Sequence, residues 1–303
     1  INSPYVSEPI SSLPLSLKPL GYHSIFYHGG MNGTMHFDAF SRLSGFDEYK
    51  GKNEYRGPEA FDGRWGIFDE PFFQFMAKDL SNQTQPFLVV FFSLSSHHPY
   101  VVPAKYMNRF GPGKLKIHQS IRYADYALGQ FFKMASQESW FKNTLFIITA
   151  DHTSEAFSPY YLTPVGQHVI PLIFYLPDNS FRGFSSQIAQ QCDIYPSVMD
   201  FLNAEGSFVA FGRSVFDITS TPFGISYLNQ EYQLIYKNKC LRYFNEKVSG
   251  FYDLKNDSLQ TNNLAAEQLP EQDEALRFLK AIIQQYNNRI IYHRLRADQM
   301  VKP

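Results

Sequence analysis

The chain has 303 residues, with 27 Lys and Arg against 28 Asp and Glu and a formal net charge of -1. That balance, with no long basic run, lacks the electrostatic footprint of a nucleic-acid partner. Hydrophobic residues make up 44% and charged residues 18%, which excludes a disordered chain, and the 17% of aromatics point to a core filled by large rings.

The chain opens on Ile1-Asn2-Ser3-Pro4, without an initiator Met or a basic leader, so it reads as processed or trimmed. Four short apolar runs bounded by turn residues are expected as buried strands: Ser24 to Tyr27, Phe87 to Phe92, Leu145 to Ile148 and Pro171 to Tyr175. Continuous apolarity, rather than alternation, is the mark of a strand covered on both faces of a parallel sheet. Even the longest of these runs is far below the roughly 18 residues that a membrane-spanning helix needs. Helices are predicted between them, over Asp69 to Leu80, Ile117 to Ser136 and Ile194 to Leu202, the last with Asp193 as N-cap. This alternation predicts an α/β fold with a doubly wound, mostly parallel sheet. Cys192 and Cys240 leave one bridge or two free thiols open.

Near residue 225 the pattern changes. Glu231 to Tyr236 and Lys239 to Phe244 read as a hairpin turning at Lys237-Asn238, with a third strand at Gly250 to Leu254. Pro270 to Arg296 reads as one long helix with Leu276, Leu279, Ile282, Ile283 and Tyr286 on one side. The expected organisation is an α/β catalytic domain over 1–225 and a small antiparallel sheet-plus-helix subdomain over 226–303, packed on the main sheet.

Three loops carry the candidate chemistry. Asp151-His152 follows the strand at 145–148, and ligands of open α/β sheets bind at the carboxyl ends of strands. A carboxylate and a neutral imidazole are both good donors to a divalent cation. The same dipeptide also fits an N-capping Asp beside a surface His. Ser93-Leu94-Ser95-Ser96-His97-His98-Pro99-Tyr100 follows the strand at 87–92; its histidines suit a metal, an anionic substrate, or simply a polar turn. Tyr27-His28-Gly29-Gly30 follows the first strand, and its paired glycines permit a tight turn and close backbone approach to a ligand. Three strand ends with His-containing loops predict one shared site.

The order of these motifs resembles the sulfatase branch of the alkaline phosphatase superfamily, and most closely the lipoteichoic acid synthase-like membrane phosphoglycerol transferases. The resemblance runs through Leu20-Gly21-Tyr22, Tyr27-His28-Gly29-Gly30, Ser44-Gly45-Phe46-Asp47, Trp65-Gly66-Ile67-Phe68-Asp69-Glu70, Leu94 to Tyr100 and Ala150-Asp151-His152. It continues through Val169 to Tyr175, Cys192 to Val198, Phe251 to Asp257 and Asn263-Leu264-Ala265. It implies Asp151 and His152 as metal ligands, His97 as a substrate contact and His28 as a border of the same cleft. The cofactor implied is a divalent metal: manganese, magnesium, zinc or calcium.

The family's other acidic ligand and its Thr nucleophile have no counterpart here and are expected upstream of Ile1. Where the synthases carry a phosphate-clasping Arg, this chain reads Met35-His36-Phe37-Asp38, with His36 as a substitute. The implied activity is transfer of a phosphoglycerol-type group to a cell-envelope glycan or lipid acceptor, through a covalent Thr or Ser intermediate. Sulfuric ester hydrolysis, or a non-catalytic domain of the same fold, is the alternative. The implied setting is extracytoplasmic, periplasmic or on the outer membrane face, in a parent protein anchored in the membrane. The 303 residues alone are expected to catalyse little.

Overall fold

The computed structural model describes residues 8–297, so Ile1-Asn2-Ser3-Pro4 lies outside the described residues. The chain divides into two compact units, one running to Leu145 and including Tyr175–Ser180, the other comprising Phe146–Phe174 and the chain from Phe181 onward.

In the first unit, a short helix α1 (Leu13–Leu17) precedes strand β1 (His23–Tyr27), helix α2 (Phe37–Leu43) and strand β2 (Glu48–Lys50). Helix α3 (Asp69–Leu80), strand β3 (Phe87–Phe91) and helix α4 (Ile117–Ala135) follow. The sheet order is β2-β1-β3, and β1 runs parallel to both neighbours, with Ile25 opposite Glu48 on one side and Val89 on the other. β1 therefore has a hydrogen-bonded partner on each edge, and Ser24 to Tyr27 are buried, whereas β3 stays half-buried.

Helix α3 buries Phe72, Phe73, Met76, Ala77 and Leu80, at the spacing of one helical face. Helix α4 buries Tyr123, Ala127, Phe131 and Ala135 at four-residue steps. Phe73 joins the layers, stacking on Phe91 of β3 at 3.9 Å between ring centroids and lying 5.2 Å from Phe131 of α4. Burying one such ring stabilises the fold by about 2–3 kcal/mol. Asp69 and Glu70 sit in the first turn of α3, where negative charge meets the positive end of the helix dipole.

In the second unit, β4 (Phe146–Thr149) pairs with β5 (Leu172–Tyr175), and helix α5 (Ile194–Phe201) follows. Asp193 does not cap α5 with its side chain. It closes a capping box with Gln190 around the preceding short turn, accepting from the Gln190 and Arg213 backbone N–H groups at 2.9 Å each. Asp193 stands at the N-cap position expected from the sequence, but its side chain serves the turn before the helix.

Four antiparallel strands then run as a meander: β6 (Phe223–Leu228), β7 (Glu231–Tyr236), β8 (Lys239–Phe244) and β9 (Lys247–Asp253). Each hairpin turns through two residues of positive φ, Asn229-Gln230, Lys237-Asn238 and Asn245-Glu246. That backbone twist matches the right-handed twist of the strands. Helix α6 (Pro270–Ile291) covers one face, burying Ala275 and Leu279 on Leu234, Leu241 and Phe251. On the other face Cys240 and Tyr252 pack on Val165. The α/β class expected from the sequence is the one observed: the chain has a parallel sheet, a small antiparallel sheet and helices. Among the described residues no helix is long and apolar enough to cross a membrane. Both cysteines are free thiols; Cys240 is buried, which pushes its thiol up to about 12.

Candidate functional site

Asp151 and His152 leave the end of β4 in an exposed turn, with side chains 52% and 70% exposed. His152 Nε2 lies 3.2 Å from Asp151 Oδ2. The other ring nitrogen, Nδ1, faces the Thr153 carbonyl oxygen. A carbonyl and a carboxylate can both only accept, so each ring nitrogen faces an acceptor and a neutral ring, with its single N–H, satisfies only one of them. With the N–H on Nδ1, Nε2 turns a lone pair towards the carboxylate, an arrangement that a bound cation would complete. An imidazole held through Nδ1–H by a carbonyl is also the usual support of a metal-binding histidine.

Loop contacts around this turn are dense. Gln191 Nε2 donates to the Ala150 and Asp151 carbonyls, both at 2.8 Å. The Thr149 hydroxyl donates to the Pro171 carbonyl at 2.8 Å, and the Thr153 hydroxyl to that of Gln167. The two donors fit part of a divalent-metal ligand set. Among the described residues no group of three or more His, Cys, Asp or Glu could hold a metal ion.

In the first unit, the loop after β3 places His97 on the surface. Its Nδ1 faces the His98 carbonyl at 2.8 Å, which again leaves Nε2 as the available nitrogen. The same carbonyl accepts from Trp65 Nε1 at 2.7 Å, and the indole stands edge-on to the His97 ring with centroids 4.6 Å apart. The His98 ring turns instead towards Tyr100, so of the paired histidines it is His97 whose ring stands against Trp65. Asp69 is 1% exposed at the base of this loop. Burial pushes its carboxyl up to about 6, against the opposing pull of the Leu94 and Ser95 N–H groups.

His28 is 5% exposed and does not present its ring to solvent. Its ring packs against Phe37 and Phe92, with centroids 4.9 and 5.4 Å away, and Nδ1 donates to the Phe92 carbonyl at 2.9 Å. Burial holds its basicity below the ordinary value. The neighbouring glycines serve backbone packing rather than a ligand: Ile67 N–H donates to the Gly29 carbonyl, and Gly30 bridges to Gly66. His36 is exposed, at positive φ, in the N-cap position of α2. Trp65, Asp69 and Gln191 lie within motifs or beside residues that the sequence singles out, yet their polar partners are distant in sequence and cannot be read from it.

A family model described as Sulfatase matches residues 2–204. The chain therefore belongs to the sulfatase family, whose members are hydrolases or transferases. Among curated relatives, the lipoteichoic acid synthase-like protein YvgJ of Bacillus subtilis (strain 168) is 25% identical over 242 residues, which is 70% of this chain and 38% of that protein. Lipoteichoic acid synthase 1 of the same organism is 23% identical over 306 residues, covering 92% of this chain and 45% of that protein. The chain thus spans less than half the length of these relatives.

Two solved structures show the fold. A protein of the alkaline phosphatase superfamily from Vibrio parahaemolyticus superposes with a TM-score of 0.77 at 24% identity, over 94% of this chain and 71% of that one. The lipoteichoic acid synthase LtaP from Listeria monocytogenes gives 0.69 at 17% identity, over 94% and 74%. The alkaline phosphatase-like α/β fold expected from the motif order is the one these neighbours share.

Proposed function

We propose that this chain forms part of a metal-dependent phosphoester transferase that moves a phosphoglycerol-type group to a cell-envelope glycan or lipid acceptor. The observation that carries the reading is the Asp151–His152 pair, with carboxylate and imidazole 3.2 Å apart on an exposed turn and the ring fixed through Nδ1. The names of the two Bacillus relatives support the choice of phosphoester over sulfate ester.

In this reading Asp151 Oδ2 and His152 Nε2 hold a divalent cation of the manganese, magnesium, zinc or calcium type, and the nucleophilic Thr or Ser and further ligands come from outside residues 1–303. When bound, the cation supplies positive charge to neutralise the nucleophile and the oxygens of the transferred group. Gln191 keeps the turn in place by bracing its two carbonyls. His97 contacts the phosphate. With Nδ1 committed to a carbonyl, its Nε2 accepts a proton as imidazole and donates to a phosphoryl oxygen as imidazolium. His28, buried and packed, holds the loop rather than the substrate. The proposed setting is extracytoplasmic, with the whole protein tethered to a membrane by a segment outside residues 1–303.

The test is a side-by-side assay of the whole protein on a nitrophenyl phosphodiester and a nitrophenyl sulfate. Expected is phosphodiester cleavage that requires a divalent cation and falls at least about 100-fold in Asp151→Asn, as for loss of a major electrostatic element. Preference for the sulfate would favour the sulfuric ester hydrolase. Absence of either activity in the metal-loaded protein would favour a non-catalytic domain.

A further inference from the structure

The loop that carries His97 is held from below by one carboxylate. Asp69 Oδ1 accepts from Leu94 N–H at 2.9 Å and from Ser95 N–H at 3.2 Å, and Oδ2 shares the Ser95 donor at 3.2 Å. The Ser95 hydroxyl returns the contact, accepting from the Asp69 backbone N–H at 2.9 Å. Asp69 is 1% exposed and Ser95 4%, so water offers no substitute partner for either. From this anchor the loop folds into two successive turns: His97 N–H donates to the Leu94 carbonyl at 3.0 Å, and Tyr100 N–H to the His97 carbonyl at 2.9 Å.

Four residues before Asp69, Trp65 makes the second contact, through Nε1 to the His98 carbonyl and through its edge to the His97 ring. Trp65 is itself fixed, because its backbone N–H and those of Arg64 and Gly66 all donate to Asp62 Oδ1. One segment, Asp62 to Asp69, therefore grips the His97 loop at its root and at its tip.

From this geometry we infer that Asp69 and Trp65 are positioning residues for His97, fixing the loop so that Nδ1–H stays on the His98 carbonyl and Nε2 is the nitrogen that takes up a proton and, as imidazolium, donates to a phosphoryl oxygen. The inference rests on the reading of His97 as a phosphate contact. Asp69 turns an oxygen to each donor it meets, Oδ1 to the Leu94 and Ser95 N–H groups and Oδ2 to the Ser95 N–H. An amide there keeps one acceptor oxygen and sets an NH2 group against a backbone N–H in place of the other, which weakens the hold on the loop. Trp65 is needed because an indole N–H gives the His98 carbonyl a second donor and holds it at the angle that His97 Nδ1–H uses. An aromatic ring without that donor keeps the packing and loses the hold.

The experiment uses the ¹⁵N-labelled 303-residue chain and long-range proton–nitrogen correlation of the histidine rings, which reports each ring's tautomer without any substrate. In the wild type, His97 and His28 show the Nδ1–H signature. In Asp69→Asn, with circular dichroism unchanged, the His97 tautomer ratio is expected to move about fivefold towards Nε2–H, the factor that one net hydrogen bond supplies. His28 and His152 stay as they were. Trp65→Phe moves His97 in the same direction. An unchanged His97 signature in folded Asp69→Asn overturns the inference and leaves Asp69 a local cap. Should Asp69→Asn fail to fold, Ser95→Ala and Trp65→Phe decide it, since an unchanged His97 in both overturns the inference equally. Because the readout needs no turnover, undiminished phosphodiester cleavage in His97→Gln would sink the catalytic reading and leave the tautomer result standing.

Discussion

Asp69 is a buried acid whose proton affinity in the fold exceeds that in the open chain, and this fixes the sign of its effect on stability. Its carboxyl is pushed from 3.8 up to about 6, chiefly by burial, with Asp62 adding repulsion. The folded state binds the proton more tightly than the unfolded state, so the contribution of Asp69 to stability grows as pH falls through about 6 towards 3.8 and is lost as pH rises again. Urea midpoints of the wild type and Asp69→Asn, compared from pH 7.5 to 5, should therefore diverge in favour of the wild type at the lower pH.

The histidines divide by the same logic of environment. His28→Ala removes a ring packed between two phenylalanines and a hydrogen bond to the Phe92 carbonyl, and should cost about 2–3 kcal/mol by denaturant unfolding. His152→Ala, at a side chain 70% exposed, should stay within about 0.5 kcal/mol. Both residues follow a strand in the sequence, and that position was legible. Which way each ring turns was not, because it depends on Phe37 and Phe92 for one and on an exposed turn for the other.

At the scale of elements, the segments that sequence patterning located are those that carry their own signal. Helix α3 and strands β7 and β8 fall on the expected residues, because their apolar spacing and the Lys237-Asn238 turn are local features. Strand β2 escaped: it has three residues, Glu48–Lys50, two of them charged, and exists through pairing with β1. Helix α2 escaped as well, since it starts after Met35 and His36, both at positive φ, where no ordinary N-cap signal is written. Strand β6 was lost behind Pro222 and the interior Gly224, which read as loop.

The contact between the loops at 29–30 and 66–67 gives a sharp test of backbone packing. A Cβ at Gly66 would lie 2.2 Å from the Gly29 carbonyl oxygen and 2.7 Å from Gly30 Cα, both backbone atoms that cannot swing aside. Gly66→Ala should destabilise by about 1–3 kcal/mol, as overpacking does. Gly21→Ala serves as a comparison for strain alone, since that position has positive φ and nothing within 4 Å.

At the scale of the whole molecule, the metal reading and the domain reading both turn on what surrounds a partly built structure. Two donors, Asp151 and His152, fall short of the three protein ligands usual for a catalytic zinc site. The 303-residue chain should accordingly bind manganese only weakly, with paramagnetic titration showing no tight site, and Asp151→Ala should abolish what binding there is.

The region from β6 to α6 poses the second question, whether it is a module or a part. Its sheet has two apolar faces. Leu234, Leu241 and Phe251 meet Ala275 and Leu279 of α6, while Cys240 and Tyr252 meet Val165, which lies outside the region. Polar ties cross the same boundary: Gln233 Nε2 donates to the Pro164 carbonyl at 3.2 Å, and Ile225 N–H donates to Gln190 Oε1 at 2.9 Å. A fragment of residues 223–303 keeps the first face and loses the partners of the second. At that size an isolated core supplies only about 3–5 kcal/mol, and exposing one face of its sheet removes a large part of it. Expressed alone, the fragment should show far-ultraviolet dichroism without a cooperative thermal transition, and should bind a hydrophobic dye. A fragment beginning at Phe146 and lacking only Tyr175–Ser180 from its continuous span restores Val165, Pro164 and Gln190, and should melt cooperatively. A sharp, reversible transition in residues 223–303 alone would show instead that the hairpins and α6 suffice, and that Val165 merely leans on a finished domain.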